Sequence, residues 1–302
     1  MPEVNPRTIA TPTSFTRRKF ATLLGAAALS PAALAQDEGV QVGEKSRFTR
    51  LVSADQIEAA GAQQYQQMGR QAAAQGALAP PSDPQVIRLR EIAKRIIPLT
   101  PPWNVRAKQW RWEVNLFYSA QLNAFCLPGG KIAFFYGLLE KLQLTDDEVA
   151  MVMGHEIAHA LREHARERMG KSMATDGVIQ LGAALLGLGN MGQYLANMGG
   201  QLLKLTYSRS DESEADLVGM ELAARAGYNP AAGLSLWEKM GAAAKGTPPQ
   251  WLSTHPAGTT RMADIRRNLS KVEPLYERAA KPPQRFPVAP PFKKPPQAPP
   301  QR

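Results

Sequence analysis

The spacing of apolar residues changes along the chain, and each spacing predicts a different element. Between Pro84 and Ile96 apolar residues recur every three or four positions, which predicts a helix that begins after Asp83 and stops before Pro98. From Trp110 onward apolar and polar residues alternate, which predicts a half-buried strand. The stretch AFCLPGGKIAFFYG then predicts two antiparallel strands around a Pro-Gly-Gly turn.

Helical spacing returns after this predicted sheet. Thr145 and Glu148 have the pattern of a capping box, which predicts the start of a long amphipathic helix. Ser53 is placed to cap an earlier helix rich in glutamine and alanine, and Gly227 is placed to end a later one. The predicted fold class is therefore α+β, predominantly α-helical, with a small antiparallel sheet directly upstream of the long helix.

Composition divides the 302 residues into four predicted parts. Residues 1–35 predict an export signal, residues 36–82 a helical N-terminal extension, and residues 83–280 the main domain. Residues 281–302 contain nine prolines and no apolar pattern, which predicts an extended or disordered tail.

The export signal is predicted from three features in succession. Arg17 and Arg18 precede an apolar stretch that runs to Leu34, and small residues at positions 33 and 35 suit a cleavage site after Ala35. The arginine pair resembles the twin-arginine type of signal. We therefore expect a protein of the bacterial periplasm.

The net charge of +10 is concentrated at the two ends of the chain, with +3 in residues 1–35 and +5 in residues 281–302. The small remainder on the main domain argues against a nucleic-acid partner. The single cysteine, Cys126, excludes an internal disulfide, and its apolar neighbours predict a buried, inert thiol.

No charged residue occurs between Gly177 and Leu203. This stretch is long enough to span a bilayer, but it contains glycine, asparagine and glutamine. Two interpretations stay open: a hairpin that touches a membrane peripherally, and a pair of helices that is buried or covers a cleft.

The long helix contains the sequence GHEIAHALREH, which holds three of the four histidines. His155 and His159 are four residues apart, so both rings project from one helix face and can bind one zinc ion. Glu156 lies beside them, where its carboxylate can take a proton from a water that the metal activates. The alternative to a zinc site is a solvated helix face. The REHARER segment just downstream has the composition of such a face.

A catalytic zinc needs a third protein ligand, and a later carboxylate is the candidate. Glu212 and Asp216 share one helix face, so Glu212 can reach the metal while Asp216 holds the far nitrogen of a zinc-bound histidine. His164 is turned about 140° from His159 on a continuous helix, which predicts a surface or supporting position instead of a ligand. The alternative for the acidic segment is a solvated face.

His255 is the only histidine outside the helix, in the segment STHP. Three roles stay open for it: an exposed loop residue, a donor to the oxyanion of a tetrahedral intermediate, or a fourth ligand that closes the zinc. Arg261 is a candidate for the same cleft.

These motifs together resemble the gluzincin metallopeptidase family of the CAAX prenyl protease, HtpX and BepA type. The resemblance runs from about Leu51 to Leu269 and is carried by HEIAH, by Glu212-x-x-Ala215-Asp216, by NAFCLPGGKIAFFYGLL and by STHP with a later arginine. It implies one zinc ion bound by His155, His159 and Glu212, and Glu156 as the base. It also implies that an extended peptide binds along an edge strand at Asn123, Ala124 and Phe125, and that His255 caps the zinc.

The predicted function is a zinc endopeptidase of the periplasm that cleaves misfolded or envelope proteins. Two alternatives remain open: a chaperone-like binding protein whose zinc locks a closed cleft, and a membrane-inserted protease anchored by residues 177–203. The expected partner is a polypeptide, and the oligomeric state stays open. Because only a short segment and the proline-rich tail follow the resemblance, we do not expect the C-terminal helical-repeat domain of BepA-type members, and the sequence after the signal does not predict the several spanning helices of the membrane members.

Overall fold

The computed structural model describes residues 38–175, 191–244, 250–256 and 259–292. The predicted export signal lies outside these residues. The described strands are β1 Glu113–Phe117, β2 Ala124–Leu127 and β3 Lys131–Phe135. The described α-helices are α1 Ala54–Ala74, α2 Pro84–Ile96, α3 Tyr136–Lys141, α4 Asp146–Leu161, α5 His164–Thr175, α6 Met191–Leu202, α7 Arg209–Arg225, α8 Ala232–Ala243, α9 Gln250–Thr254 and α10 Thr259–Arg278. The fold class is α+β and predominantly helical.

The predicted helix starts are confirmed by their hydrogen bonds. The hydroxyl of Ser53 accepts from the backbone at the start of α1, and the carboxylate of Asp83 does the same for α2. Thr145 and Glu148 form a reciprocal capping box at the start of α4. Each cap satisfies backbone N–H groups that the first turn of a helix leaves without partners.

The sheet is mixed, because the predicted antiparallel pair of strands is extended by a third strand in parallel. β2 and β3 pair antiparallel as predicted, but β3 also pairs with β1 in parallel, with Leu116 opposite Phe134. The strand order β1-β3-β2 puts β3 between two strands that precede it in the chain. Alternating apolar residues show which face of a strand is buried, but they do not show which strand is its neighbour.

β2 is an edge strand of the described sheet, because it pairs only with β3 there. Ala124 and Phe125 belong to β2, and Asn123 lies just before it, where its carbonyl accepts from the backbone of Phe135 at 3.1 Å. Cys126 of the same strand is buried, and burial raises the pKa of its thiol well above the ordinary value.

Helix α1 packs on the sheet and does not form a separate extension. Ile57, Ala60 and Tyr65 of α1 are buried in one apolar cluster with Leu127 of β2 and Ala133 of β3. The hydroxyl of Tyr65 also donates to the backbone carbonyl of Ile132 in β3. The chain from Glu38 onward forms one compact unit, so α1 belongs to the same unit as the sheet.

The segment from Gly177 to Leu203 lies partly outside the described residues, which resume at Met191 with helix α6. Met198 and Leu202 of α6 are buried against the cluster that contains α1. No helix in the described part of the chain combines the length and the apolar character that crossing a bilayer requires.

The first half of the proline-rich tail, which the sequence predicts to be extended or disordered, is docked on the rest of the chain as far as Phe292. The backbone of Phe286 donates to Asp146 at 2.8 Å, and the carbonyl of Ala289 accepts from Gln143 at 3.1 Å. Ala289 is fully buried, and the ring of Phe292 lies 5.2 Å from that of Tyr136. Proline-rich backbone is pre-ordered, so little entropy is lost when it docks in extended form.

Two glycines set the distance between the helices that carry the site. Helices α4 and α7 cross at Gly154 and Gly219, and a β-carbon added to Gly154 would lie 2.6 Å from the carbonyl oxygen of Gly219. Any side chain at this crossing would force the helices apart. The crossing therefore allows the first turns of α7 to reach the histidines of α4.

Candidate metal centre

Four side chains from three segments meet at one point. His155 and His159 come from α4, Glu212 from α7, and His255 from the turn that follows α9. Each offers one potential ligand atom, and these four atoms lie within 4.8 Å of one another. All four side chains are buried.

Short distances in this cluster join nitrogen and oxygen atoms of the kinds that bind metals. Nε2 of His159 lies 3.0 Å from Nε2 of His155 and 3.4 Å from Oε1 of Glu212. Nδ1 of His255 lies 3.0 Å from the same carboxylate oxygen. Two imidazole nitrogens and a carboxylate oxygen are a donor set of catalytic zinc sites.

The other oxygen of Glu212 supports the same interpretation. Oε2 is buried and accepts no hydrogen bond from the described residues. Arg261 Nη1 lies 2.5 Å from it and forms an ion pair, but not in a hydrogen-bonding geometry. Burial opposes the charge of Glu212, yet the neighbouring His159 and His255 hold the pKa of Glu212 well below the ordinary value. A buried carboxylate that remains charged fits a cation in this position.

Asp216 orients the first histidine. Its Oδ1 lies 3.0 Å from Nδ1 of His155, and a carboxylate can only accept, so His155 donates from Nδ1 and turns the lone pair of Nε2 towards the centre. Arg261 binds Asp216 with two hydrogen bonds of 2.6 and 2.7 Å. Burial opposes the charge of Asp216, but the charge of Arg261 and these hydrogen bonds hold the pKa of Asp216 below its ordinary value.

His159 is almost completely buried, and its surroundings favour the neutral imidazole. Burial lowers its pKa well below the ordinary value, and the neighbouring histidines add to this effect against the opposing charge of Glu212. The neutral imidazole is the form that binds metals. The ring of Tyr207 stacks on His159 with the centroids 3.9 Å apart and an angle of 27° between the planes.

His164 is fully buried, so its predicted surface alternative was wrong. Its Nδ1 lies 2.9 Å from Nδ1 of His159, on the side of that ring opposite the centre. The helix is not continuous here: α4 ends at Leu161, and Glu163 adopts the left-handed conformation with φ 61° before α5 begins. This break turns His164 back under His159. Arg162 is also buried, so the adjoining residues are not a solvated face.

Glu156 lies next to the cluster without belonging to it. Its Oε1 accepts a hydrogen bond of 2.6 Å from the indole nitrogen of Trp251 and lies 3.6 Å from Nε2 of His255. The carboxylate is buried. This arrangement fits a general base that is oriented beside a metal ion.

His255 is buried, so the interpretation as an exposed loop residue was wrong. Its Nδ1 lies 3.2 Å from Nε2 of His155. Burial lowers the pKa of His255, but the charges of Glu156 and Glu212 and the hydrogen bond to Glu212 outweigh it, so the pKa is raised. These contacts bring His255 to the centre as a fourth potential ligand.

A cleft of about 220 Å³ leads from this centre to the edge strand β2. Glu156 and His255 line its inner end, Phe125 of β2 and Tyr207 line its sides, and Leu203 adds apolar surface. The arrangement gives an extended peptide a strand to pair with and brings it beside Glu156.

Trp251, Tyr207 and Glu214 belong to this site but were not predicted from the sequence, whereas His164 takes the supporting position that was one of its two predicted alternatives. Trp251 had a usable signal, because it lies four residues before His255 and therefore on the same face of a helical turn. Tyr207 had none, because its partner His159 is remote in sequence. The break after Leu161 also had no signal, because its left-handed residue is a glutamate instead of a glycine or an asparagine.

The fold and the centre define the class of protein: a gluzincin metallopeptidase scaffold, with HExxH on one helix and a glutamate on a second helix that crosses it. Peptidase family M48 matches residues 86–269 of the sequence. The chain belongs to peptidase family M48.

Several characterised proteins are similar to this chain. Mitochondrial metalloendopeptidase OMA1 of Schizosaccharomyces pombe is 33% identical over 197 residues, which cover 64% of this chain and 56% of that protein. Metalloprotease LoiP of Escherichia coli is 30% identical over 52% of this chain and 62% of its own length. The beta-barrel assembly-enhancing protease of Escherichia coli is 29% identical over 53% of this chain and 35% of its own length. The chain thus spans between about a third and two thirds of these relatives.

Proposed function

We propose that this chain is a zinc-dependent endopeptidase whose metal is held by His155, His159 and Glu212. The observation that carries the proposal is the meeting of four buried ligand atoms within 4.8 Å, with Glu156 beside them. The metalloendopeptidase names of the similar proteins support it. A zinc ion bound there would act as a Lewis acid towards the scissile carbonyl and the attacking water.

The residues of the chain supply the remaining chemistry. Glu156 takes the proton of the attacking water and returns it to the nitrogen of the leaving amine. The indole of Trp251 occupies Oε1 of Glu156, so we assign the transfer to Oε2. The peptide lies in extended form along β2, at Asn123 to Phe125, and its main chain adds a strand to the sheet.

Cleavage of unfolded casein, compared between the wild type and Glu156→Gln, tests the proposal. We expect the wild type to cleave and the variant to bind an equal amount of zinc without cleaving. Glu167→Gln is the matched control, because it removes the same charge from a glutamate that pairs with Lys171 within α5 and is not part of the centre, so cleavage should not change. Equal cleavage by the wild type and Glu156→Gln would contradict the proposal.

A second candidate is a binding protein in which His255 keeps the centre closed. Its support is the position of His255, whose Nδ1 lies 3.0 Å from Glu212 and 3.2 Å from His155. A protein of this kind would suppress the aggregation of an unfolded client and cleave nothing. Zinc-loaded wild type that suppresses aggregation without any proteolysis would favour it over the endopeptidase.

We also propose that the protein acts in the bacterial periplasm on misfolded or envelope proteins. The support for this location is the basic, apolar and small-residue succession of residues 1–35. A relative named as a beta-barrel assembly-enhancing protease supports the substrate class. Fractionation of cells that express the full chain tests the location, with Arg17→Lys combined with Arg18→Lys as the variant that should stay in the cytoplasm. Wild type recovered uncleaved from the cytoplasm would contradict it.

A further inference from the structure

A second pair of residues, which the proposed chemistry does not use, lies behind His159. Nδ1 of His164 is 2.9 Å from Nδ1 of His159, and Nε2 of His164 is 2.7 Å from Oε2 of Glu214. His164 is fully buried, and Glu214 is one fifth exposed. Glu214, His164 and His159 thus form a chain of hydrogen-bonded side chains that leads from the protein surface to the candidate metal centre.

The hydrogen atoms in this line follow from what each partner can accept. A carboxylate accepts only, so Nε2 of His164 carries the hydrogen that Glu214 receives. Neutral His164 then presents a lone pair at Nδ1, and His159 must donate from its own Nδ1. The lone pair at Nε2 of His159 therefore faces the centre, as a metal ligand requires.

We propose that His164 and Glu214 are positioning residues for the metal, and that they fix the ring orientation and tautomer of His159. The inference rests on the proposed metal centre. It gives the acidic segment of α7 three separate roles: Glu212 is a ligand, Asp216 orients His155 directly, and Glu214 orients His159 through His164.

The two orienting carboxylates are supported in the same manner. Arg261 forms two hydrogen bonds with Asp216, and Arg162 lies 2.7 Å from Oε1 of Glu214. Each arginine holds a carboxylate that in turn holds an imidazole. The two arrangements differ in one respect: Asp216 contacts its histidine directly, whereas the ring of His164 lies between Glu214 and His159. There is room for this ring because α4 ends before Glu163, which has the left-handed conformation. A non-glycine residue in this conformation is disfavoured, which is a feature often found at functional sites.

Zinc affinity is the direct readout, measured by competition with a chromophoric chelator on the full chain. His164→Leu removes the acceptor, while His164→Asn puts a carbonyl oxygen near the position of Nδ1. Glu214→Gln can donate an amide hydrogen to His164 and so favour the wrong tautomer of both rings. We expect the leucine and glutamine variants to bind zinc about 10- to 100-fold more weakly, and His164→Asn to recover most of the loss.

Two further measurements separate positioning from folding. The visible absorption spectrum of Co²⁺-loaded protein should change in His164→Leu, because the ligand field of the metal changes when the ring of His159 turns. The spectrum of His164→Asn should stay close to that of the wild type. Glu167→Gln, on the same helix, is the charge-matched control and should bind zinc like the wild type. Melting of the metal-free variants shows whether each still folds; Glu214→Gln changes only a partly exposed side chain.

Several outcomes would overturn the inference. Unchanged zinc affinity in folded His164→Leu and Glu214→Gln would remove the positioning role and leave the metal site intact. Equal losses in the leucine and asparagine variants, or losses that only follow a lower melting temperature, would make His164 a packing residue. Failure of the wild type to bind zinc would instead remove the metal centre and the proposed function with it.

Discussion

The indole nitrogen of Trp251 donates a hydrogen bond of 2.6 Å to Oε1 of Glu156, and both groups are buried. The same indole ring stacks on His255 with the centroids 4.9 Å apart and an angle of 25° between the planes. Trp251 thus connects the proposed base with the fourth potential ligand. A short, charge-assisted hydrogen bond of this kind restricts the carboxylate to one orientation.

We expect Trp251→Phe to lower kcat/KM, because Glu156 loses the donor that orients it. A hydrogen bond to a charged group contributes about 1.5–3 kcal/mol, so a loss of roughly tenfold or more is expected in peptide cleavage. Trp110→Phe is the matched control, because the indole nitrogen of Trp110 is buried without a hydrogen-bond partner among the described residues. Equal activity of Trp251→Phe and the wild type would show that the indole does not orient the base.

We expect His255→Ala to bind zinc more weakly and to cleave faster when zinc is saturating. The reason is that Nδ1 of His255 occupies the centre beside Glu212 and His155, where it competes with substrate and water. A gain in kcat/KM of about tenfold would correspond to about 1.4 kcal/mol. Peptide cleavage at measured zinc content checks the prediction. A lower rate would instead assign an oxyanion donor, and an unchanged rate would leave His255 with neither role.

Deletion of residues 282–302 should destabilise the protein. The docked part donates to Asp146 and accepts from Gln143 and Tyr136, and it buries Ala289. These contacts are expected to contribute about 2–3 kcal/mol to the free energy of unfolding, and so to shift the melting temperature by roughly 5–10 °C. Deletion of residues 293–302 alone leaves every contact named above in place and is the control. Equal melting temperatures for both deletions would show that docking contributes nothing.

Glu148→Gln should destabilise the protein at pH 7 but not in acid. Burial opposes the charge of Glu148, but hydrogen bonds from Lys239, Thr145 and Ser235 outweigh it and lower the pKa of Glu148. A group whose pKa is lower in the folded state stabilises above its unfolded pKa of about 4.3. That contribution is lost as the pH falls through the folded pKa.

We therefore expect the wild type to melt at a higher temperature than Glu148→Gln at pH 7, by an amount equivalent to about 1–2 kcal/mol. The gap should narrow below about pH 4. Thermal melts of metal-free protein across this range measure it, with Glu167→Gln as the charge-matched control. A difference in melting temperature that stays constant down to pH 2 would show that the charge of Glu148 does not stabilise the folded protein.

The sequence by itself determined the local features of this protein. The caps at Ser53, Asp83 and Thr145 lie where predicted, because a cap depends on hydrogen bonds within one turn of its own helix. The placing of His155 and His159 on one helix face follows from the same short-range geometry. The antiparallel pairing of β2 with β3 was also predictable, because a short turn joins them.

Only the tertiary structure decided which remote segments meet. The close crossing at Gly154 and Gly219 brings Glu212 to the histidines, and the break at Glu163 brings His164 under His159. The parallel pairing of β3 with β1 and the docking of the tail around Ala289 also could not be predicted from the pattern of apolar and polar residues. Such contacts depend on how whole elements pack against one another, and a residue's own neighbours in sequence carry no information about that.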